Sequence, residues 1–440
     1  SAQNELKGNL GGAWNILDGA QGQYQDLGIA RRFGGAAAAY SLRDIGAMNG
    51  RVVKVRRNND STEEDFSANQ IQSGVLEDFC DNVLTVGTSV NGTGSFSNYE
   101  FTANGNTGFD ADNSAGGTGS AGFPYTFKDG DIMTVTYTVT NFSSESGLSP
   151  QIRGTTGTNS VTQVASGGTT FTANGTYTDT LTASADGTHL MFADGNTGSY
   201  TISNFAVTSH KTDGLVETWY DQSGNGFDLK SQSADTQPFI VSNGVFTGGV
   251  YSPSRTSNST KQYLEVSSPD FDSTDITSSK FGWLSVMANM EENVDGGAGV
   301  IFGNTRGVVS YGAGSIALNL SDTNGGRLFV SNAYTTSAAD FIGSADDTDL
   351  FDSETIGTAV VDGSSLSTFL NGNTGSGTFS NLTLTSTGNF RIFQSNDGFG
   401  GLRYQTASQG FIKELMFMQG DTIDDIVTIR NEVNNHYNIF

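Results

Sequence analysis

Cysteine is all but missing from this 440-residue chain. Cys80 stands alone, so no intrachain disulfide can form and stability has to come from packing. Proline is scarce, with five residues against 58 glycines. Glycine in that excess marks tight turns with positive φ between short strands. Histidine is limited to His189, His210 and His436, and none lies in a nucleophile motif such as G-x-S-x-G. No His/Cys cluster offers a zinc site. Gly11-Gly12 and the glycine-rich stretch 114–122 are not followed by Gly-Lys-Ser/Thr, which excludes a phosphate loop. No run approaches the ~20 apolar residues of a membrane-spanning helix. The opening Ser1-Ala2-Gln3-Asn4-Glu5 has neither the basic nor the apolar part of a secretory leader, so synthesis in a cytoplasm is expected.

Basic charge is also in short supply, with 21 Lys+Arg against 46 Asp+Glu and a net charge of −25. Such a surface repels nucleic acid and anionic membranes. The charge is uneven. Residues 1–57 hold eight Lys/Arg against four acids, a surplus of four positive charges that leaves −29 on the remainder. A basic segment on an acidic body can dock on an acidic partner; equally, its arginines can pair with carboxylates of their own domain. Phe (29), Tyr (14) and Trp (3) supply the apolar area for real cores and sit in alternating patterns, which excludes a disordered low-complexity chain. The length suits two or three domains.

Alternation locates the strands. Met133-Thr-Val135-Thr-Tyr137-Thr-Val139-Thr140 alternates strictly, as a half-buried strand should, and Tyr177-Thr-Asp-Thr-Leu181-Thr-Ala183 repeats the pattern. Strands are predicted at Ala36–Leu42, Arg51–Val55, Val216–Tyr220, Phe239–Val241, Gly282–Met287, Gly299–Phe302, Ile316–Leu320, Arg327–Val330, Thr358–Val361, Ser367–Leu370, Phe390–Phe393 and Gly410–Met418. The run Phe411–Met418 is almost continuously apolar, which predicts a central strand. One helix is predicted, because Ile426, Ile429, Val433 and Tyr437 fall on one face of a 3.6-residue period. Thr422 or Asp421 is its candidate cap. The class is therefore all-β with a short C-terminal helix.

Two separated blocks read as one broken motif. The first is Ala39-Tyr40-Ser41-Leu42-Arg43 with Val52-Val53-Lys54-Val55-Arg56-Arg57 and Asn59-Asp60-Ser61-Thr62-Glu63-Glu64-Asp65. The second is Trp219-Tyr220-Asp221-Gln222-Ser223-Gly224-Asn225-Gly226 with Gln237-Pro238. Together they resemble the β-sandwich of the fungal arabinofuranosidase B family, whose non-enzymatic versions recur in tail and surface proteins of bacterial viruses. The strand Glu414-Leu415-Met416-Phe417 and the helix after it are similar to the end of laminin-G/concanavalin-like domains in phage proteins. The stretch between the blocks, clearest over residues 129–207, resembles carbohydrate-binding jelly rolls of the family 4/9 type. These resemblances imply a lectin-like β-sandwich interrupted by a second jelly roll. The expected division is 1–35, an anchoring arm; 36–83, the first part of the sandwich; 84–209, the inserted module; and 210–440, the remainder. A jelly roll can bring its termini together, so such an insertion costs the host little.

A retaining glycosidase needs two carboxylates roughly 5–5.5 Å apart, and spacing among 46 acids identifies no pair. The arabinofuranosidase resemblance implies adjacent disulfide-forming cysteines just before the nucleophile; no equivalent of that segment occurs here. Asp221, Asn225 and Asp228 place oxygen at alternating positions like the start of a calcium loop, but Gln232 stands where a hand-like loop needs Glu. They are the candidate metal ligands, with calcium the only cofactor in view; the alternative is a turn in which Asp221 and Asn225 bond backbone groups. Sugar binding needs exposed aromatics. Tyr99, Phe109 and Tyr125, in Asn/Gly-rich loops, are the candidates, against the alternative that each is core.

The expectation is a virion structural protein of a bacterial virus, on a tail fibre or an external decoration, that binds host-surface glycans without catalysis. Residues 1–35 would dock on other virion proteins, and subunits would form a symmetric homo-oligomer. The alternatives are an arabinofuranosidase-like glycoside hydrolase with an appended binding module, and a purely architectural capsid or collar protein.

Overall fold

A computed structural model describes residues 29–32, 36–46, 50–81, 95–97, 100–103, 122–144, 151–155, 163–193, 198–253, 262–266, 271, 276, 278–291, 299–303, 316–321, 327–332, 342–346, 354–378, 389–393 and 409–440. Within them the chain is all-β, and every strand pair is antiparallel. The strands fall into two sets.

The first set is a two-layered sandwich. One layer is organised on Gln409–Gln419, which bonds Ala38–Ser41 and Val245–Ser252 along one edge and Lys280–Glu291 along the other. Glu354–Asp362, Ser365–Leu370 and Asn373–Thr378 extend it. The other layer runs from the Glu63–Phe66 edge through Val53–Arg57, Gly214–Trp219, Leu229–Lys230, Leu264–Val266 and Arg391–Ile392 to Gly299–Gly303 and its neighbours. Phe239–Ser242 bonds a strand of each layer. Tyr40, Val53, Val55, Trp219, Trp283, Phe302, Phe390 and Phe417 fill the space between, so residues on both sides of the interruption share one apolar interior.

The nearly continuous apolar run at 411–418 has a simple cause. Leu415 and Phe417 face the interior, while Met416 and Met418 face the other way. That second face is not left in water. Ile426, Ile429 and Val433 of the C-terminal helix Ile426–Tyr437 cover it, together with Leu284, Val286 and Ile356. A strand covered on both faces needs apolar residues at every position. Each fully buried large side chain contributes about 1.5–3 kcal/mol, which makes this double burial a main source of cohesion.

Three local features differ from expectation. A 3-10 turn, Gly420–Asp425, leads into the helix, so Asp425 occupies the cap position, without a side-chain bond, and Thr422 is buried. Glu63–Phe66 is a strand despite its acids, because it is an edge whose Glu63 meets Lys54 at 2.5 Å on the neighbouring strand. Two short helices, Ala68–Gln72 and Val75–Cys80, follow. The first carries a capping box: the Gln70 amide donates to Ser67 Oγ and the Ser67 amide to Gln70 Oε1. The Ser67-x-x-Gln70 spacing is the sequence signature of that motif.

The second set forms one continuous hydrogen-bonded sheet in the order Ser95–Ser97, Glu100–Ala103, Gly198–Lys211, Ile132–Ser144, Gly175–Ala183, Gln163–Ser166, Gln151–Thr155, Gly187–Ala193, Gly122–Phe127. Its alternating strands put Met133, Val135, Tyr137 and Val139 on the inner face with Leu181, Leu190, Phe192 and Ile202, and threonines on the outer one.

Candidate functional site

The two motif blocks meet as a staple. Trp219 is fully buried against Tyr40, ring centroids 5.9 Å apart. The chain then turns through Gly224 and Gly226, both at positive φ. Inside this turn the Asp221 carboxylate accepts five hydrogen bonds. They come from the amides of Ala39 (2.9 Å), Ser223 (2.9 Å), Gly226 (3.0 Å) and Phe227 (3.1 Å) and from the Ser223 hydroxyl (2.7 Å). Gln222 accepts from the Ile45 amide and donates to the Ser41 and Arg43 carbonyls. Asn225 donates its amide to the Ala36 and Ala37 carbonyls. Asp228 accepts from the Asp221 amide, and burial raises its pKa.

These residues do not fit a calcium ion. A metal ligand needs free oxygen lone pairs. Those of Asp221 are filled by N–H and O–H donors, and Asn225 presents nitrogen to carbonyls. The metal assignment of Asp221, Asn225 and Asp228 is corrected to a turn that binds one block to the other.

Beside the staple lies a buried ion pair. Glu414 is completely buried and takes Arg43 in bidentate fashion, Nε to Oε2 at 2.7 Å and Nη2 to Oε1 at 2.8 Å. Ser41 Oγ and the Tyr437 hydroxyl also donate to Oε2, at 2.9 and 3.4 Å. Burial works against the Arg43 charge, but Glu414 holds its pKa above the ordinary value. The other basic side chains described in the 1–57 segment are occupied as well. Arg51 pairs with Asp65, Lys54 with Glu63, Arg57 with Asp60, and Arg56 bonds Gln237. Among the described side chains of this segment, four of the five cations thus pair with carboxylates of the sandwich.

Of the aromatic candidates, Tyr99 and Phe109 lie outside the described residues. Tyr125 is corrected: it is 5% exposed, and its hydroxyl is 2.7 Å from His210 Nδ1. His210 lies 85 residues further on and offers a buried polar partner for the hydroxyl, so the ring turns inward. Among the described residues, the aromatics of this core left partly open are Tyr177 and Phe142. Tyr177 stacks one face on Tyr137 (5.6 Å, 16° between planes) and donates its hydroxyl to the Ala173 carbonyl. Phe142 meets Phe171 edge-on at 5.7 Å. Asn174 Oδ1 accepts from the Phe142 amide, tying the two edges together. Two residues beyond Tyr177 on the same strand face, Asp179 is buried. Its Oδ2 accepts the Tyr137 hydroxyl, and its Oδ1 has no partner among the described residues.

Cys80 is buried and its thiol is pushed up to about 12, chiefly by burial. Since the thiolate is the reactive form, this cysteine should be inert to alkylation at pH 8 until the protein unfolds, then react fully. Mass spectrometry after a timed iodoacetamide pulse checks this.

Among solved structures, the chain is similar to a GH54 α-L-arabinofuranosidase soaked with 4-nitrophenyl α-L-arabinofuranoside, at 14% identity and a TM-score of 0.34 over 69% of this chain and 62% of that one. It is similar to an arabinofuranosidase complexed with arabinofuranosyl-α-1,2-xylobiose at 15% identity, TM-score 0.33 and the same coverage. A NanB sialidase from Streptococcus pneumoniae matches at 11% identity and a TM-score of 0.26, over 38% of this chain and 25% of that one. The chain thus spans less than two thirds of the arabinofuranosidase chains it matches. No family model and no curated protein sequence matches it. At such scores the fold stands on its strand pairing, which defines an antiparallel β-sandwich carrying a second β-sheet module.

Proposed function

We propose that this chain is a structural protein of a bacterial-virus particle that holds a neutral host-surface glycan without turning it over. The observation that carries the non-catalytic half is the fate of the buried carboxylates described in the sandwich. Asp221 is saturated by backbone donors, Glu414 by Arg43, and Glu265 by Arg391 at 2.5 Å. None is left to attack a sugar or to carry its proton. The virion half rests on the motif blocks, which resemble the arabinofuranosidase B sandwich whose non-enzymatic versions recur in phage tail and surface proteins.

The glycan contact in this reading is the open end of the inserted sheet, where Tyr177 and Phe142 offer ring faces beside the amide of Asn174. Binding of the whole chain to a glycan array tests it. The wild type should bind a defined set, and Tyr177→Ala should weaken binding about tenfold, a stacking contribution of roughly 1.4 kcal/mol, read at a temperature well below the variant's lowered melting point. No binding to any glycan would favour the architectural alternative. Turnover of a nitrophenyl arabinoside, abolished by one acid-to-amide change, would establish the hydrolase instead.

A further inference from the structure

The outer face of the Gln409–Gln419 layer is covered at one end, where the C-terminal helix lies over Leu284, Val286, Ile356, Met416 and Met418. Further along that face, Phe239, Tyr251 and Phe411 stand opposite one another on three neighbouring strands. The positions next to them, Ile240, Val250 and Ile412, belong to the sandwich interior, so these three rings point away from it. Tyr251 and Phe411 stack at 4.4 Å with 18° between planes, and Phe239 meets Tyr251 at 6.4 Å. Each of the three is half-buried, and none belongs to an apolar cluster of the described residues. The row continues through Ala288 to Glu354, whose carboxylate pairs with Lys413. The Glu354 side chain is 37% exposed, which leaves the pair within reach of a ligand.

Cross-strand aromatic pairs stabilise a sheet by themselves, but that does not account for the outline of this row. It is one ring wide. On its flank Gly249 shares the face of Tyr251, and a Cβ there would come within 3.1 Å of Lys413 Cγ and 3.3 Å of Phe411 Cβ. Glycine leaves room for both side chains. Strands lie about 4.8 Å apart, so the three rings extend over roughly 10 Å. Partly open rings in a line, with a carboxylate and an ammonium beyond the last of them, match the chemistry of a sugar chain. Its C–H faces lie on rings and its hydroxyls meet polar side chains. A protein partner needs a broader apolar patch with a polar rim. We propose that this row is a saccharide site on the sandwich. An extended neutral glycan lies along Phe239, Tyr251 and Phe411 and places hydroxyls on the Lys413–Glu354 pair.

The site lies on the sandwich, whereas the Tyr177 contact lies on the inserted sheet, and neither needs the other. Together they give the chain two points of attachment to one polymer, a bivalency that rests on the proposed function while the ring row itself does not. Two linked contacts raise the strength of attachment beyond that of either alone.

Hydroxyl-radical footprinting of the intact wild type tests the site without a variant. The probes are soluble mannan, galactan and β-glucan, used one at a time, with the radical dose normalised by an added peptide. At least one polymer should suppress oxidation of Phe239, Tyr251 and Phe411. Protection confined to Tyr177 and Phe142 overturns this site and leaves the proposed glycan contact standing; protection of the ring row alone does the reverse. Protection of none of these rings by any of the three polymers overturns the site as well. In native gels holding the protecting polymer, Phe411→Ala should bind about tenfold more weakly, read well below its melting point, and Glu354→Gln should also lose affinity. Tyr177→Ala should keep the footprint on the row. A Phe411→Ala protein that folds and binds like wild type would return the three rings to sheet packing alone.

Discussion

Glu414→Gln is expected to cost about 3–5 kcal/mol, because it strands a buried guanidinium. The amide keeps the shape of the side chain but not its charge. Arg43 would keep at most one arm of its bidentate contact and lose the opposing charge while remaining largely enclosed, and Ser41 and Tyr437 would face a weaker acceptor. The site joins three distant parts of the chain: the Ala38–Ser41 strand with the loop after it, the Gln409–Gln419 strand and the C-terminal helix. Loss should therefore appear as a lower denaturation midpoint with a largely unchanged slope. Arg43→Met should cost a similar amount for the mirror reason. Arg43→Met with Glu414→Leu should recover most of it, since a well-packed apolar pair often replaces a buried ion pair without loss. If the double variant is as unstable as the sum of the singles, the two residues are not coupled and this account of the site fails.

Asp221→Ala should be nearly as damaging, at roughly 3–5 kcal/mol by chemical denaturation. It withdraws the acceptor from four backbone amides and one hydroxyl. Alanine cannot replace any of them, and the two positive-φ glycines hold the donors pointed at the vacated space. Asp221→Asn should lose most of the same stability. One oxygen survives, but the new NH2 faces N–H donors. Millimolar calcium should leave the wild-type melting temperature unchanged, because a ligand of the native state alone would raise it. A calcium-dependent rise would restore the metal reading of this loop.

Much of the sandwich was visible in the sequence because burial there follows local pattern. The strands expected at Val216–Tyr220, Gly282–Met287 and Thr358–Val361 overlie Gly214–Trp219, Lys280–Glu291 and Glu354–Asp362, and a continuous apolar run marked Gln409–Gln419. What escaped lacks such a pattern. Asn373–Thr378, entirely polar or glycine, is a strand only because Ser365–Leu370 offers it a ladder. Tyr125 carries no local sign of which way it turns. Its partner His210 lies 85 residues away, so exposure and burial look alike in the sequence. The open aromatics Tyr177 and Phe142 lie on strands that alternate like their neighbours. Only the end of the packed core decides that their rings are partly uncovered.

The chain by itself determined the all-β class, the C-terminal helix and the dependence on packing, since period, glycine turns and a lone cysteine are properties of adjacent residues. Tertiary structure alone decided the chemistry. Whether Asp221 holds a metal or a backbone and whether Glu414 is a catalyst or a rivet both depend on donors and charges brought in from remote segments. A carboxylate's role is set by what surrounds it in space, and sequence distance does not record that.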